Sequence, residues 1–197
     1  MNKCEQDLLG KVYVVTGGNS GIGFEAARNF AARGARLVLI CRSEQRGRAA
    51  LAKIESETGN DQGLLFVADF SSLESVSAVA DQLLREFLKI DVLCNNAGSA
   101  NGQRSETSEG FETTLVTNHL SGFLLTKKLM PALERAAASG QARVVFTSSY
   151  GHTNSALNFD DLGLRTGYKT LVAYGRSKLM NLLTARELQR RVGEHNI

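Results

Sequence analysis

The sequence predicts an α/β fold in which helices cover both faces of a doubly wound parallel sheet. Five short apolar segments alternate with five longer helical patterns, and the apolar segments are continuous, as expected for strands buried on both faces. A glycine-rich turn joins the first apolar segment to the first helical pattern. Strands and helices that alternate in this way indicate parallel strands joined by helical crossovers.

The five predicted strands are rich in valine, leucine and isoleucine, and they cover residues 11–16, 36–41, 63–68, 90–96 and 142–148. The helical patterns that follow them cover residues 21–34, 46–59, 72–87, 110–140 and 173–191. The first, second and fourth of these patterns end in glycine, which is common just after a helix. Residues 1–197 are therefore predicted to form a single domain.

Composition and charge argue against several classes of function. The chain has 197 residues and a net charge of +3, without the basic stripe that nucleic-acid binding requires. We expect no transmembrane segment, because no window is long and apolar enough to span a membrane. Cys4, Cys41 and Cys94 lie far apart without metal-ligand spacing, which predicts reduced thiols and a cytoplasmic location.

The glycine-rich turn predicts a dinucleotide site. It reads TGGNSGIG, from Thr16 to Gly23, and it lies between the first strand and the first helix. Glycines let the backbone approach a pyrophosphate closely, and the N-terminus of the helix meets the negative charge. A glycine turn without a ligand is the weaker alternative at this position.

The spacing of Gly17, Gly21 and Gly23 resembles the T-G-x-x-x-G-x-G motif of the short-chain dehydrogenase/reductase family, whose members have a Rossmann fold. Other motifs follow in the family's order: NNAG after the fourth strand, TNHLSGFLLT in the fourth helical pattern, TSS at the end of the fifth strand, and YGRSK beyond it. The phrases NHLSGFLLT, NFDDL and AYGRSKLMN look most like the branch of retinol dehydrogenases, WW-domain oxidoreductases and light-dependent protochlorophyllide reductases.

The cofactor implied by this resemblance is a nicotinamide dinucleotide. Asp69 would meet its adenine, although the same residue could cap the helix that begins at Ser71 or Ser72. The full set of residues assigned to the cofactor is Gly17, Asn19, Ser20, Gly21, Ile22, Gly23, Arg42, Asp69, Asn95, Ala97, Gly98, Tyr174 and Lys178.

The end of the second strand distinguishes between the two nicotinamide cofactors. An acidic residue there would accept hydrogen bonds from the ribose 2′-hydroxyl of NAD(H). This sequence instead has Arg42, and its first carboxylate is Glu44. Arginine can donate two hydrogen bonds to a 2′-phosphate, so we predict NADP(H). The alternative for Arg42 is a solvated surface charge.

Tyr174 and Lys178 are four residues apart in the last helical pattern and therefore lie on one face of it. A nearby ammonium favours the ionised form of a phenol, which otherwise has a pKa of about 10. The resemblance implies that Tyr174 is the acid/base and that Lys178 is its electrostatic partner and a ribose ligand. It also implies that Ser149 contacts the substrate oxygen and that Asn118 anchors a proton-relay water. His119 is given no role.

Alternative interpretations remain open for several of these residues. Ser148 could serve only to satisfy backbone at the strand end, and Asn118 could bond to nearby backbone. Residues 150–173 separate Ser149 from Tyr174. Leu157, Phe159, Leu162 and Leu164 in this segment would suit an apolar carbonyl compound, or they could pin the segment to the core.

Members of the family normally continue with a sixth strand, a Pro-Gly turn beside the nicotinamide, a loop over the substrate and a seventh strand, and these C-terminal elements are absent from this sequence. We therefore expect the fifth strand at a sheet edge. We also expect cofactor binding to survive better than catalysis. The helices that usually form the family's dimer contact, residues 110–139 and 174–191, are present, which suggests a homodimer or a mixed dimer with a full-length relative.

These observations predict an NADP(H)-dependent oxidoreductase that interconverts an apolar alcohol and its ketone or aldehyde, with Tyr174 as acid/base. The alternative is a catalytically silent dinucleotide-binding protein that acts through dimerisation.

Overall fold

The protein is described by a computed structural model of residues 6–197, so Cys4 lies outside the described residues. Five strands in this part of the chain form one parallel sheet, in the order β3-β2-β1-β4-β5. The predicted doubly wound α/β (Rossmann) fold is therefore confirmed. The strands are β1 (Val12–Thr16), β2 (Arg36–Cys41), β3 (Leu64–Val67), β4 (Val92–Asn95) and β5 (Arg143–Phe146).

The helices connect these strands and continue after the last one. Residues 113–137 form one helical stretch whose middle turn, Val116–Leu120, is a π-helix that we call π1. No helix of the described chain combines the length and apolar character needed to cross a membrane. The α-helices are α1 (Gly21–Ala32), α2 (Glu44–Thr58), α3 (Leu73–Glu86), α4 (Thr113–Leu115), α5 (Ser121–Ala137) and α6 (Thr170–Val192).

The core lies on both faces of the sheet because consecutive residues of a strand point to opposite sides. In β2, Val38 and Ile40 pack in a cluster with residues of α3 and α5, whereas Leu37 and Leu39 pack with residues of α1 and α2. All four of these side chains are fully buried or nearly so. This two-sided burial explains why the strand sequence is apolar without alternation.

The outer strands differ from the central ones. Val67 in β3 and Val145 in β5 are 47% and 45% exposed, so the expectation that every strand is covered on both faces is wrong for these two. The reason is that the cluster of α1 and α2 reaches Leu65 in β3 but not Val67, and it includes no residue of β5. The predicted position of β5 at a sheet edge is confirmed.

Candidate active site

A cleft of about 480 Å³ opens at the carboxyl ends of the central strands. Ligands of open α/β sheets bind at this end of the strands. The cleft also contacts Arg46, Asn96 and Ser99, which the sequence analysis did not assign to the site. The residues assigned from the sequence that line it are Gly17, Asn19, Ser20, Arg42, Asp69, Ala97 and Gly98.

The glycine turn brings the end of β1, the start of α1 and the loop after β4 close together. Gly17 has a φ of +67°, and a Cβ atom there would lie 3.0 Å from the Cα of Ala97. A Cβ at Gly23 would lie 2.6 Å from the carbonyl oxygen of Gly17. Gly21 has a φ of +55°, and Ile22 beside it is 75% exposed. Glycine is therefore required here both for backbone conformation and for space.

The N-terminus of α1 faces this turn without a side-chain cap. Ser20 precedes the helix in an extended conformation, and its side chain makes no capping hydrogen bond. The first turn of α1 also lacks acidic residues. Because the first N–H groups of a helix have no partner within it, this end can bind an anion.

Thr16 links the end of β1 to the end of β4 and the loop that follows it, a role that the sequence motifs did not indicate. Its hydroxyl accepts hydrogen bonds from the backbone N–H groups of Asn96 and Ala97, each at 2.9 Å, and donates to the carbonyl of Cys94 at 3.3 Å. Thr16 is only 1% exposed. The hydroxyl therefore fixes the backbone of Asn96 and Ala97, which form one wall of the cleft.

The two asparagines after β4 have different environments. Asn95 is buried, and its Nδ2 donates to Thr126 on α5 at 2.9 Å. Its side chain therefore faces α5 and does not line the cleft, and the assignment of Asn95 to the cofactor stays a prediction. Asn96 lines the cleft instead, and its Nδ2 donates to the carbonyl of Thr16 at 3.1 Å. The two side chains differ because neighbouring residues at a strand end point to opposite faces.

Two arginines stand at the cleft after β2. Arg42 and Arg46 are both exposed and line the cavity, and neither forms an ion pair among the described residues. The nearest carboxylate in sequence, Glu44, is paired with Arg48 at 2.6 Å along α2. The cleft therefore has positive charge at the end of β2.

Asp69 lines the cleft but does not cap α3. Its Oδ1 accepts hydrogen bonds from the backbone N–H of Ser71 at 2.9 Å and from the Ser71 hydroxyl at 2.7 Å. The cap of α3 is Ser72, whose hydroxyl accepts from the N–H of Ser75. The capping role considered as the alternative for Asp69 is therefore filled by Ser72, and Asp69 stabilises the turn that precedes α3.

Tyr174 and Lys178 are neighbours in the first half of α6. The Nζ of Lys178 lies 5.5 Å from the centroid of the Tyr174 ring. Lys178 is 4% exposed, and its Nζ donates to the carbonyl of Thr147 at 2.9 Å. Burial lowers the pKa of Lys178. A Cβ added to Gly98 would lie 3.4 Å from this Nζ, so the ammonium lies directly behind Gly98, which lines the cleft.

The two serines after β5 differ in their contacts. Ser148 donates its hydroxyl to the backbone carbonyl of Lys178 at 2.9 Å, which is the structural role considered for it. The hydroxyl of Ser149 accepts from the N–H of Gly151 at 3.3 Å. A Cβ at Gly151 would lie 3.8 Å from the Ser149 hydroxyl and 3.7 Å from the Tyr174 ring. Ser149 and Tyr174 thus flank the same glycine.

Asn118 lies in π1 and anchors the loop after β4. Its Oδ1 accepts from the N–H of Ser99 at 2.7 Å, and its Nδ2 donates to the carbonyl of Ser99 and to the Ser177 hydroxyl. The carbonyl of Asn118 accepts from Asn181 on α6 at 3.0 Å. His119 was given no role from the sequence, and its Nδ1 lies 3.1 Å from Oδ1 of Asn181. Burial lowers the pKa of His119.

The segment between Ser149 and α6 packs against the loop that precedes α4. The hydroxyl of Tyr168 donates to the carbonyl of Asn101 at 2.9 Å, and Nε of Arg104 donates to that of Gly163 at 3.1 Å. Leu164 is buried, whereas Phe159 is 80% exposed. Leu164 therefore pins the segment to the core, and Phe159 remains available at its surface.

A family model described as short chain dehydrogenase matches residues 11–197. The chain belongs to the short-chain dehydrogenase family. Retinol dehydrogenase 12 of Mus musculus is 45% identical over 94% of this chain, which spans 58% of that relative's length. The similarity to the retinol dehydrogenase branch, inferred from the motifs, is thereby confirmed.

Solved structures share the fold. A protein from Mycobacterium paratuberculosis has a TM-score of 0.82 and 37% identity, over 95% of this chain and 64% of its own. The Pseudomonas aeruginosa RhlG/NADP active-site complex has a TM-score of 0.79 and 26% identity, over 100% of this chain and 72% of its own. The described residues of this short-chain dehydrogenase contain no cluster of His, Cys, Asp or Glu that could hold a metal ion.

Proposed function

We propose that this chain carries the cofactor and catalytic part of an NADP(H)-dependent oxidoreductase that interconverts an apolar alcohol and its ketone or aldehyde. The observation that carries the proposal is the Tyr174 and Lys178 pair, whose buried ammonium adjoins the phenol and lies directly behind Gly98, which lines the cleft. A buried lysine without a carboxylate partner is costly, and such groups are concentrated at functional sites. Among the described residues, Lys178 forms no ion pair.

The residues of the cleft fit a dinucleotide. The glycine turn would hold the pyrophosphate against the uncapped N-terminus of α1. A side chain at Gly17 would collide with Ala97, and one at Gly23 with the Gly17 carbonyl, so the turn could not keep this shape. Asp69 would meet the adenine ribose side, and Ala97 and Gly98 would lie along the cofactor towards Lys178. When bound, the nicotinamide supplies or accepts the hydride in the reaction.

The end of β2 favours NADP(H) over NAD(H). Arg42 and Arg46 are both at the cleft, and together they can donate charge-assisted hydrogen bonds to a 2′-phosphate. Glu44, which could otherwise repel a phosphate, is engaged by Arg48. The NADP complex of the similar Pseudomonas aeruginosa protein supports the same choice.

The chain's own residues would manage the proton. In reduction, the phenol of Tyr174 gives its proton to the substrate oxygen as the carbonyl carbon gains a hydride, so that an alcohol forms. In oxidation, the phenolate takes the proton back. The ammonium of Lys178 would stabilise that phenolate, and the hydroxyl of Ser149 would donate a hydrogen bond to the substrate oxygen. Asn118 would anchor the water that returns protons from solvent.

An apolar substrate is favoured by the similar retinol dehydrogenases and by the surface near Tyr174. Phe159 and Leu171 are each at least 80% exposed and lie in or beside the segment that leads to Tyr174. Exposed apolar side chains near a candidate site suit an apolar ligand. The buried, free thiols of Cys41 and Cys94 agree with the proposed cytoplasmic location.

A homodimer is proposed as part of this function. An apolar groove of about 630 Å³ runs between α5 and α6, the helices predicted to form the dimer contact, and it contains Phe123, Met130, Leu183 and Leu188. Phe123 and Leu183 are 48% and 44% exposed. Sedimentation of the wild type and of Leu183→Glu tests it. A dimer that dissociates in the variant is expected, and a monomeric wild type at micromolar concentration would contradict the proposal.

The experiment that tests the proposed activity combines binding with turnover. NADPH is titrated by fluorescence, and the same protein is then assayed with apolar aldehydes and ketones by loss of NADPH absorbance. Tyr174→Phe is expected to reduce kcat by about 100-fold or more and to leave the Kd for NADPH within a few-fold. Tyr150→Phe is the matched control, because Tyr150 is 83% exposed next to Ser149.

The outcomes separate the proposal from its alternative. Turnover that is lost in Tyr174→Phe and retained in Tyr150→Phe supports the oxidoreductase. NADPH binding without turnover in the wild type would favour the catalytically silent dinucleotide-binding protein. Absence of NADPH binding would contradict the cofactor proposal itself.

A further inference from the structure

Asn181 bridges two backbone carbonyls beneath the candidate active site. It lies on α6 three residues after Lys178 and seven after Tyr174, so the three side chains share one face of the helix. Its Nδ2 donates to the carbonyl of Asn118 at 3.0 Å and to the carbonyl of Thr147 at 3.3 Å. Asn181 is 1% exposed, so water does not compete for these contacts.

His119 fixes the orientation of the Asn181 carboxamide. The Nδ1 of His119 lies 3.1 Å from Oδ1 of Asn181. Because the nitrogen of the carboxamide is used by two carbonyls, which only accept, its oxygen must face the imidazole. An oxygen acceptor requires that His119 carry its hydrogen on Nδ1. The imidazole thus prevents the carboxamide from turning over.

The bridge reaches Lys178 through a shared acceptor. The carbonyl of Thr147 accepts from the ammonium of Lys178 at 2.9 Å as well as from Asn181. The titratable groups near this ammonium are Tyr174 on its own helix and His119 on π1, which is linked to it through Asn181. Backbone of the strand end and of the loop after β4 completes its surroundings.

We propose that Asn181, held by His119, is a positioning residue that fixes the Thr147 carbonyl and thereby the ammonium of Lys178. The inference rests on the proposed function in one respect, namely that Lys178 acts on Tyr174. It adds two residues to the site that touch neither the cleft nor the phenol. Asn181 and His119 determine the position of the Lys178 ammonium and the strength of its hydrogen bond to the Thr147 carbonyl.

Three variants separate the parts of this network. Asn181→Leu keeps the side-chain size and removes both donors. His119→Leu removes the hydrogen bond that orients the carboxamide, whereas His119→Asn keeps an N–H donor near the position of Nδ1. Asn60→Leu is the matched control, because Nδ2 of Asn60 also bridges two carbonyls, at 2.8 and 3.0 Å, at the opposite side of the sheet from α6.

The test measures kcat against pH, the Kd for NADPH, and the titration of Lys178 by NMR of labelled lysine. Asn181→Leu is expected to lower kcat by about tenfold or more, because small displacements of a catalytic group are costly. The Kd for NADPH is expected to stay within about twofold. The pKa of Lys178 is expected to fall further, because an apolar side chain replaces the bridge and the carbonyl is less well fixed.

His119→Leu is expected to show the same changes to a smaller extent, and His119→Asn is expected to restore kcat. Asn60→Leu should lower the melting temperature and leave the pH profile unchanged. A kcat for Asn181→Leu within about twofold of the wild type overturns the inference. The inference is also overturned if Asn60→Leu loses as much kcat as Asn181→Leu and the pH profile of Asn181→Leu is unchanged. If the wild type has no turnover, the proposed function fails separately, and an unchanged Lys178 titration in Asn181→Leu still overturns the inference.

Discussion

Thr16→Val removes one hydroxyl from behind the cleft and keeps the shape of the side chain. The hydroxyl accepts from the N–H groups of Asn96 and Ala97 and donates to the carbonyl of Cys94. Valine can make none of these hydrogen bonds. Since Thr16 is 1% exposed, no water replaces the lost oxygen without a rearrangement of the strand ends.

The size of the effect follows from the two N–H groups that lose their acceptor. An unsatisfied buried polar group costs about 1–3 kcal/mol. Asn96 and Ala97 are only partly buried, so the lower end of that range applies to each. The added methyl group of valine offsets part of the sum, which leaves a loss of about 1.5 kcal/mol in the free energy of unfolding. For a domain of this size, the melting temperature should fall by about 3–6 °C.

Urea denaturation and thermal melting measure this loss, and NADPH titration measures its consequence for the site. The Kd for NADPH is expected to rise by about tenfold, because the displaced loop forms one wall of the cleft. Thr153→Val is the control, since Thr153 is exposed and its hydroxyl bonds only to a local carbonyl. Equal unfolding free energies for Thr16→Val and wild type would refute the reasoning.

Three further predictions follow from the same geometry. Gly23→Ala should lower both stability, by about 1–3 kcal/mol, and NADPH affinity, because its Cβ would lie 2.6 Å from a backbone oxygen; calorimetry and titration check both. Replacing Arg42 and Arg46 by alanine should raise the Kd for NADPH by about tenfold or more and leave that for NADH nearly unchanged; an equal loss for both cofactors would contradict the 2′-phosphate assignment. Hydrogen bonds from Arg190 and Arg191 lower the pKa of Glu187 to about 2. The contribution of the Glu187 carboxylate to stability is therefore complete above about pH 4.5 and is lost as the pH falls towards 2. The melting temperature of Glu187→Gln should differ from that of the wild type at neutral pH and should match it in acid.

The fold could be predicted because its signals are local. Buried parallel strands give continuous apolar segments, and the glycine turn has a recognisable position between strand and helix. The predicted strands extend one or two residues beyond the observed ones at some ends, as with β4, which ends at Asn95. One residue along a strand changes the face on which a side chain lies, which is why Asn95 and Asn96 have different surroundings.

The network behind the site depends on pairs far apart in the chain. Thr16 contacts residues about 80 positions away, and Asn181 contacts Asn118 and Thr147, which belong to different elements. Strand order and register, which the sequence does not specify locally, bring these groups together. One signal was nevertheless available for Asn181: it is a polar residue in the apolar run LMNLL, on the same helix face as Lys178.

The sheet gives the two halves of the candidate site different support. Most residues of the candidate cofactor cleft follow β1, β2 and β4, which are paired on both sides, and only the part around Asp69 follows an edge strand, β3. Thr147 follows β5, which is paired only with β4, so its carbonyl depends on α6 for its position. Edge strands open more readily than central ones. Any loosening at this edge should therefore displace the Lys178 ammonium before it disturbs the cofactor cleft, and proton transfer should be more sensitive than NADPH binding to changes in β5.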